Sequence, residues 1–357
     1  MEWLMIDRIR PMMFLLFCGA QSCLCCAQEE MAVERKTKGK TVELMARQAE
    51  QLTEKAESSV GKSFLKAARR LPPIEPFDLY YRFENPSQRR PLAGTEGIPF
   101  EKFRLLEDSE RKKYTKLRLT EEQYYFTKYG SPVMFLRALD LVGNSGLKTL
   151  AGKKIVDFGF GSIGHLQMMA FNGADVTGID VDVSLKGLYS RDLEPDSPPR
   201  RNSSKLPGKL RLLFGRFPAD KTIAEATGTG IDVFFSKNTL KRGYIHPAQP
   251  VDSNRRIDLG VSDTEFIQAV YNRLNPGGFF MIYNLHPRRT PPGENYITWS
   301  DGRSPFDRID LGAVGFKIIQ FNCDDTPMAH EFAKTFGWDK QMNLEEDFRA
   351  TFTLLQK

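Results

Sequence analysis

The sequence predicts an α/β fold: a mostly parallel sheet of seven strands with helices on both faces, preceded by a helical N-terminal region. Three observations predict it. The run Lys154-Ile155-Val156-Asp157-Phe158 leads into glycines at 159, 161 and 164 and then a helix-like segment from His165 to Phe171. A second short run, Asp175-Val176-Thr177-Gly178-Ile179, follows and ends in Asp180. From there to the C-terminus short apolar runs alternate with helical segments, the pattern of parallel strands joined by crossover helices.

Taken in order, strands are expected at 154–158, 175–179, 210–214, 231–236, 278–285, 316–321 and 348–355. The first ends in a turn that only glycines make easily, because they lack a Cβ and let a ligand approach the main chain at a helix N-terminus. The second ends in an acid placed to accept hydrogen bonds from ribose hydroxyls. Before the fifth strand, Ser262-Asp263-Thr264-Glu265 reads as a capping box, followed by Phe266, Ile267, Val270 and Leu274 at helical spacing. Pro276 cannot continue that helix, and Gly277-Gly278 supplies the turn. No clear helix is expected between the last two strands. The glycine spacing alone also fits a dinucleotide fingerprint, so the glycines leave the nucleotide open.

Asp157 stands two residues before the first glycine, where dinucleotide folds usually carry an apolar residue or glycine. In this, and in the Leu274-Asn275-Pro276-Gly277-Gly278 turn, the chain resembles the class I S-adenosylmethionine-dependent methyltransferases over residues 151–357. The resemblance implies a Rossmann-like sheet of seven strands with an antiparallel last strand, S-adenosyl-L-methionine as cofactor, and an enzyme that transfers a methyl group. It also implies roles. Gly159, Gly161 and Gly164 would admit the methionine end of the cofactor, Asp157 would orient that end, and Asp180 would hold the ribose. Gly215-Arg216-Phe217 would flank the adenine, although the family often has an acid where Arg216 stands. Ser236 and Asn238 would line the transfer site.

The remainder of the chain divides by composition. Residues 1–27 hold a basic start with Arg8 and Arg10, an apolar stretch to Ala20 and a small-residue site near Ala27; they read as a signal peptide. Export or membrane association through that segment is the expectation, with a cytoplasmic protein as the alternative if the segment is not a working signal. Of the five cysteines, four (18, 23, 25 and 26) lie there, leaving only Cys323 beyond it. Residues 28–76 read as a charged arm, helical and exposed or partly disordered, ending in the linker Leu71-Pro72-Pro73-Ile74-Glu75-Pro76. Residues 77–150 read as a helical, aromatic-rich cap. At 41% hydrophobic and 27% charged the whole is ordinary for a globular protein, and a net charge of +6 permits an acidic substrate without demanding nucleic acid.

Ligands of such sheets bind at the carboxyl ends of the strands. Three long loops leave those ends, at 236–260, 286–305 and from Asn322 through His330 to Trp338. Each carries a histidine. His246 and His286 are, with Asn238, the candidate catalytic residues; one histidine as general base, or all three as a metal set, are the chemistries such a grouping offers. Lys237, Lys241, Arg242, Arg288 and Arg289 are candidates for a basic rim. The Pro/Arg-rich loop 191–208 is expected to be surface alone. After the fourth strand there is no Asn-Pro-Pro-Tyr or Asp-Pro-Pro-Tyr, and there is no Pro-Cys nucleophile, which argues against nucleobase methylation. A small molecule, a lipid-like acceptor or a protein side chain remains as acceptor, with a small molecule or protein side chain favoured over a nucleobase. The competing readings are a non-catalytic binding protein on the same scaffold and an NAD(P)-dependent oxidoreductase.

Overall fold

The computed structural model describes residues 39–82, 97–127, 130–189 and 208–357. The signal-peptide segment 1–27 and all but the end of the loop 191–208 lie outside the described residues.

The arm is a part of the core, contrary to the sequence expectation. Helix α1 (Lys40–Leu52) buries Met45, Ala49 and Leu52, and α2 (Ser59–Ala67) buries Val60, Phe64 and Leu65. Both faces follow i, i+4, i+7 or i, i+4, i+5 spacing, a stripe hidden within a charge-rich segment. The cap also differs from expectation. Strands β1 (Phe77–Arg82), β2 (Gly97–Pro99) and β3 (Tyr114–Leu119) form a small antiparallel sheet in the order β2-β1-β3. In β3 the residues Lys116-Leu117-Arg118-Leu119 alternate polar and apolar, a period of two rather than a helical period. Helix α3 (Glu121–Tyr125) starts at a capping box on Thr120, and α4 (Leu136–Asn144) follows.

The large domain then runs β4 (Lys154–Phe158), α5 (Gly164–Phe171), β5 (Asp175–Asp180), α6 (Val183–Leu188), β6 (Lys209–Phe214), α7 (Lys221–Thr227) and β7 (Ile231–Lys237). It continues through α8 (Asp263–Arg273), β8 (Leu274–His286), α9 (Arg308–Val314), β9 (Lys317–Asp324), α10 (Thr326–Thr335) and β10 (Arg349–Gln356). All seven expected strands are present. The helix between the last two strands was not expected; α10 opens on Pro327 and buries Ala329, Phe332 and Ala333 on one side.

The sheet order is β6-β5-β4-β7-β8-β10-β9. Strands β6, β5, β4, β7 and β8 pair in parallel, and β10 is antiparallel to both neighbours. Alternation along the strands feeds two cores. Ile155, Phe235 and Met281 face a core shared with Met45, Phe64, Tyr125 and Leu166. Val156, Phe234 and Phe280 face a second core with Phe217, Phe266, Phe306 and Phe316. The Pro-Gly-Gly turn is absorbed into the start of β8 as an irregularity: Ile231 pairs with Leu274, but Val233 pairs with Phe279.

Candidate active site

Strand order reverses between β4 and β7. From β4 the chain proceeds outward to β5 and β6; from β7 it proceeds outward the other way to β8. The crevice at the carboxyl ends of β4 and β7 is therefore the topological switch point, where ligands of open α/β sheets bind.

The turn after β4 is built as the spacing required. Gly159 and Gly161 have φ of 76° and 60°, left-handed values that a side chain would strain. Gly159 N–H donates to Ile179 O at 2.7 Å and Gly161 N–H to Asp180 Oδ2 at 3.1 Å. Asp180 also accepts from Asp182 N–H at 3.0 Å, so its carboxylate links the ends of β4 and β5. Burial, helped by the negative charge of Asp182, pushes its carboxyl up to about 6 in spite of those N–H donors.

Asp157 is 1% exposed. Its Oδ2 lies 2.6 Å from His165 Nε2, while its Oδ1 is buried with no hydrogen-bond partner among the described residues. The ring of His165 stacks on Phe135, centroids 4.4 Å apart. His165 sits in the first turn of α5, and sequence reading passed it over as a helix residue. The available signal was its place eight residues after Asp157, where the turn brings the helix back over the strand end.

Across the switch point, Lys237 ends β7 on the same face as Asp157. Asp157 is level with Phe235 in the parallel register, and Lys237 follows two residues later. Lys237 is half-buried; burial lowers its ammonium to about 8, opposed by the charge of Asp157. Beside it in register is Tyr283, whose hydroxyl donates to Asp325 Oδ2 at 2.9 Å. Arg137 grips the same carboxylate through Nε and a second guanidinium nitrogen, each at 2.9 Å.

Other expected site residues are placed differently. Gly164 is a packing glycine: a Cβ there would lie 2.4 Å from Pro132 Cγ, so its missing side chain admits the cap rather than a ligand. Phe217 is 1% exposed and packed among Phe158, Phe234 and Phe266, so it does not flank an adenine. Ser236 and Asn238 shape the turn after β7. Ser236 Oγ accepts from Leu240 N–H at 3.2 Å, and Asn238, at φ 66°, accepts from Leu285 N–H at 2.7 Å. That turn lays Thr239 over Gly159: a Cβ on the glycine would be 2.0 Å from Thr239 Oγ1.

The three loop histidines do not converge. His246 is bonded to Asp263 at 2.7 Å at the start of α8. His286 lies between Pro287 O at 2.8 Å and Thr351 Oγ1 at 2.9 Å, and burial lowers it to about 4. His330 is buried, 2.6 Å from Phe348 O. Each has its own separate partners, and among the described residues no three His, Cys, Asp or Glu side chains are grouped to hold a metal. The basic rim is likewise dispersed. Lys241 is fully buried and donates to Leu285 O at 2.6 Å, Arg242 pairs with Asp307, and Arg288 pairs with Glu346.

No family model matches the sequence, and no curated protein matches it. Solved structures do. An S-adenosylmethionine-dependent methyltransferase from Mesorhizobium loti is 16% identical, with 62% of this chain and 98% of that chain covered and a TM-score of 0.34. The [4+2]-cyclase SpnF is 15% identical, covering 66% of this chain and 86% of that one, TM-score 0.36. Phosphoethanolamine N-methyltransferase 2 from Haemonchus contortus is 13% identical, covering 68% and 62%, TM-score 0.36. The fold is Rossmann-like: a seven-stranded, mostly parallel sheet in which β10 runs antiparallel to both its neighbours.

Proposed function

We propose that the chain binds S-adenosyl-L-methionine at the β4–β7 switch point and transfers its methyl group to a small-molecule acceptor. The observation that carries this reading is the pairing of a left-handed glycine turn with two acids, Asp157 and Asp180, at the ends of adjacent parallel strands. The residues fit the cofactor. Asp157 Oδ1 is a buried carboxylate oxygen lacking a donor among the described residues, and an ammonium or N–H group reaching it would remove that cost. Asp180, partly exposed at the end of β5, is the acceptor for ribose hydroxyls. The cofactor supplies a methyl activated by positive sulfur, so the protein's tasks are alignment, exclusion of water and proton removal.

A small acceptor is favoured over a protein surface by what covers the turn. Thr127 lies against Gly161, and β2 is seated on α6 so closely that a Cβ on Gly187 would be 2.4 Å from Gly97 O. The dinucleotide reading is disfavoured by Asp157, a charge where the pyrophosphate would approach. One observation favours the scaffold reading: Thr239 crowds Gly159 from the loop after β7.

Thermal unfolding of the full chain tests the proposal. S-adenosylhomocysteine at about 100 times its Kd adds roughly 2.7 kcal/mol to a protein that binds it, and Tm rises by a few degrees. Asp180→Ala should lose that rise. An equal rise in the variant would remove Asp180 from the site.

A further inference from the structure

Two charged side chains stand at the strand ends of the switch point, on one face of the sheet. Asp157, the penultimate residue of β4, is held by His165. Lys237 ends β7, the other strand of the crevice, on the same face. It makes no hydrogen bond or ion pair to any described residue, although it is half-buried and feels the charge of Asp157. Of the other rim candidates, Lys241 is committed to Leu285 O, Arg242 to Asp307 and Arg288 to Glu346, while Arg289 is exposed. A half-buried amine left without a partner at a ligand crevice is costly as a structural device. Lys237 is thus neither fully exposed, as most lysines are, nor paired with an acid among the described residues.

We propose that Lys237 is the general base of the transfer, taking the proton from an acceptor whose nucleophilic atom carries one, that is, a hydroxyl, a phenol or an ammonium group. This rests on the cofactor reading above. In the step, the proton on the acceptor atom passes to Lys237 Nζ. The acceptor's lone pair forms the bond to the methyl carbon, and the methyl–sulfur bond breaks with its electron pair left on sulfur. Charge balances, because the sulfonium cation is lost as the lysine ammonium forms. The environment suits the task, since burial lowers the ammonium to about 8 and leaves an appreciable neutral fraction near neutral pH. The charge that acts on its titration is that of Asp157 from β4, itself held by His165 of α5; beside it in register stands Tyr283 from β8, bonded to Asp325, which Arg137 also holds. Asp180 lies across the glycine turn. A bound sulfonium adds a second positive charge to this crevice and drives Lys237 further towards the neutral amine; the uncharged thioether product does not.

The test is a titration that needs no acceptor. Lysines of the full chain are labelled at 13Cε, and the Lys237 signal is assigned by its loss in Lys237→Met. The free protein should show a midpoint near 8 for Lys237, against the ordinary 10.5. S-adenosylmethionine, but not S-adenosylhomocysteine, should lower it further. A shift of about one unit requires the affinity ratio of the two ligands to change about tenfold across the titration. Lys237→Arg, a cation at every working pH, should lose the part of that pH dependence that Lys237 contributes. If both ligands bind and the Lys237 midpoint stays near 10.5, or is the same with either, the base assignment is overturned while the cofactor reading stands. If neither ligand binds the wild-type chain, the cofactor reading fails, and the base assignment with it.

Discussion

At the residue scale, the glycine turn and its two acids were legible because their chemistry is local. Left-handed backbone at Gly159 and Gly161, and an acid closing each strand, are fixed by neighbours a few positions away. What was not legible depended on which side chain meets which across the sheet. The spacing of His165 from Asp157 is the one local hint of their contact, and nothing in the order of residues says that Lys237 ends the neighbouring strand on the same face. The histidines show the converse. His246 follows β7, His286 closes β8 and His330 lies within α10, yet each is bonded to a different partner, and His286 is the extreme case. With its nitrogens set between Pro287 O and Thr351 Oγ1 it is held neutral, and burial lowers it to about 4 from 6.5. Its unfolded form therefore binds a proton at higher pH than its folded form. The associated stability is complete above about 6.5 and is lost as pH falls from there through about 4. The difference in unfolding free energy between wild type and His286→Gln, measured in urea at pH 7 and pH 4.5, should shrink by about 1–3 kcal/mol at the lower pH. A difference independent of pH would show that His286 is not held neutral.

At the element scale, the seven strands and the helix before β8 were readable because alternation and capping are encoded in short windows. The arm was misread because its apolar stripe is narrow and interleaved with charge, so average composition hid it. The cap was misread because β3 is a short strand between helical turns. What ties these pieces to the domain is a long-range bond that no window shows. Glu121, 4% exposed, accepts from Thr41 N–H at 2.8 Å and Val42 N–H at 3.3 Å at the start of α1, and from Ile74 N–H at 2.8 Å. One carboxylate thus caps α1 and clamps the linker to α3. Glu121→Ala leaves these donors without an acceptor and should cost about 2–4 kcal/mol. Limited proteolysis of the variant should then cut first between residues 39 and 76. Cleavage there at the wild-type rate would mean that packing of Met45, Ala49 and Leu52 alone holds the arm.

At the scale of the whole molecule, the sheet order places the ends of β4 and β7 side by side, while the arm and cap close over one face of that crevice. Asp140 shows how closely the parts are joined. It is fully buried in α4, and accepts from Ser58 Oγ at 2.6 Å, Ser58 N–H at 3.0 Å and Glu57 N–H at 3.1 Å just before α2. Arg137, one turn earlier in α4, bridges Glu57 to Asp325 beside Tyr283. Arm, cap and sheet thus share one polar network. The measurement that bears most directly on the candidate site is calorimetric titration of the full chain with S-adenosylhomocysteine, with NADH as the control. Micromolar binding of S-adenosylhomocysteine alone is the result expected of the site described. Binding of NADH in its place, or of neither ligand, would contradict it.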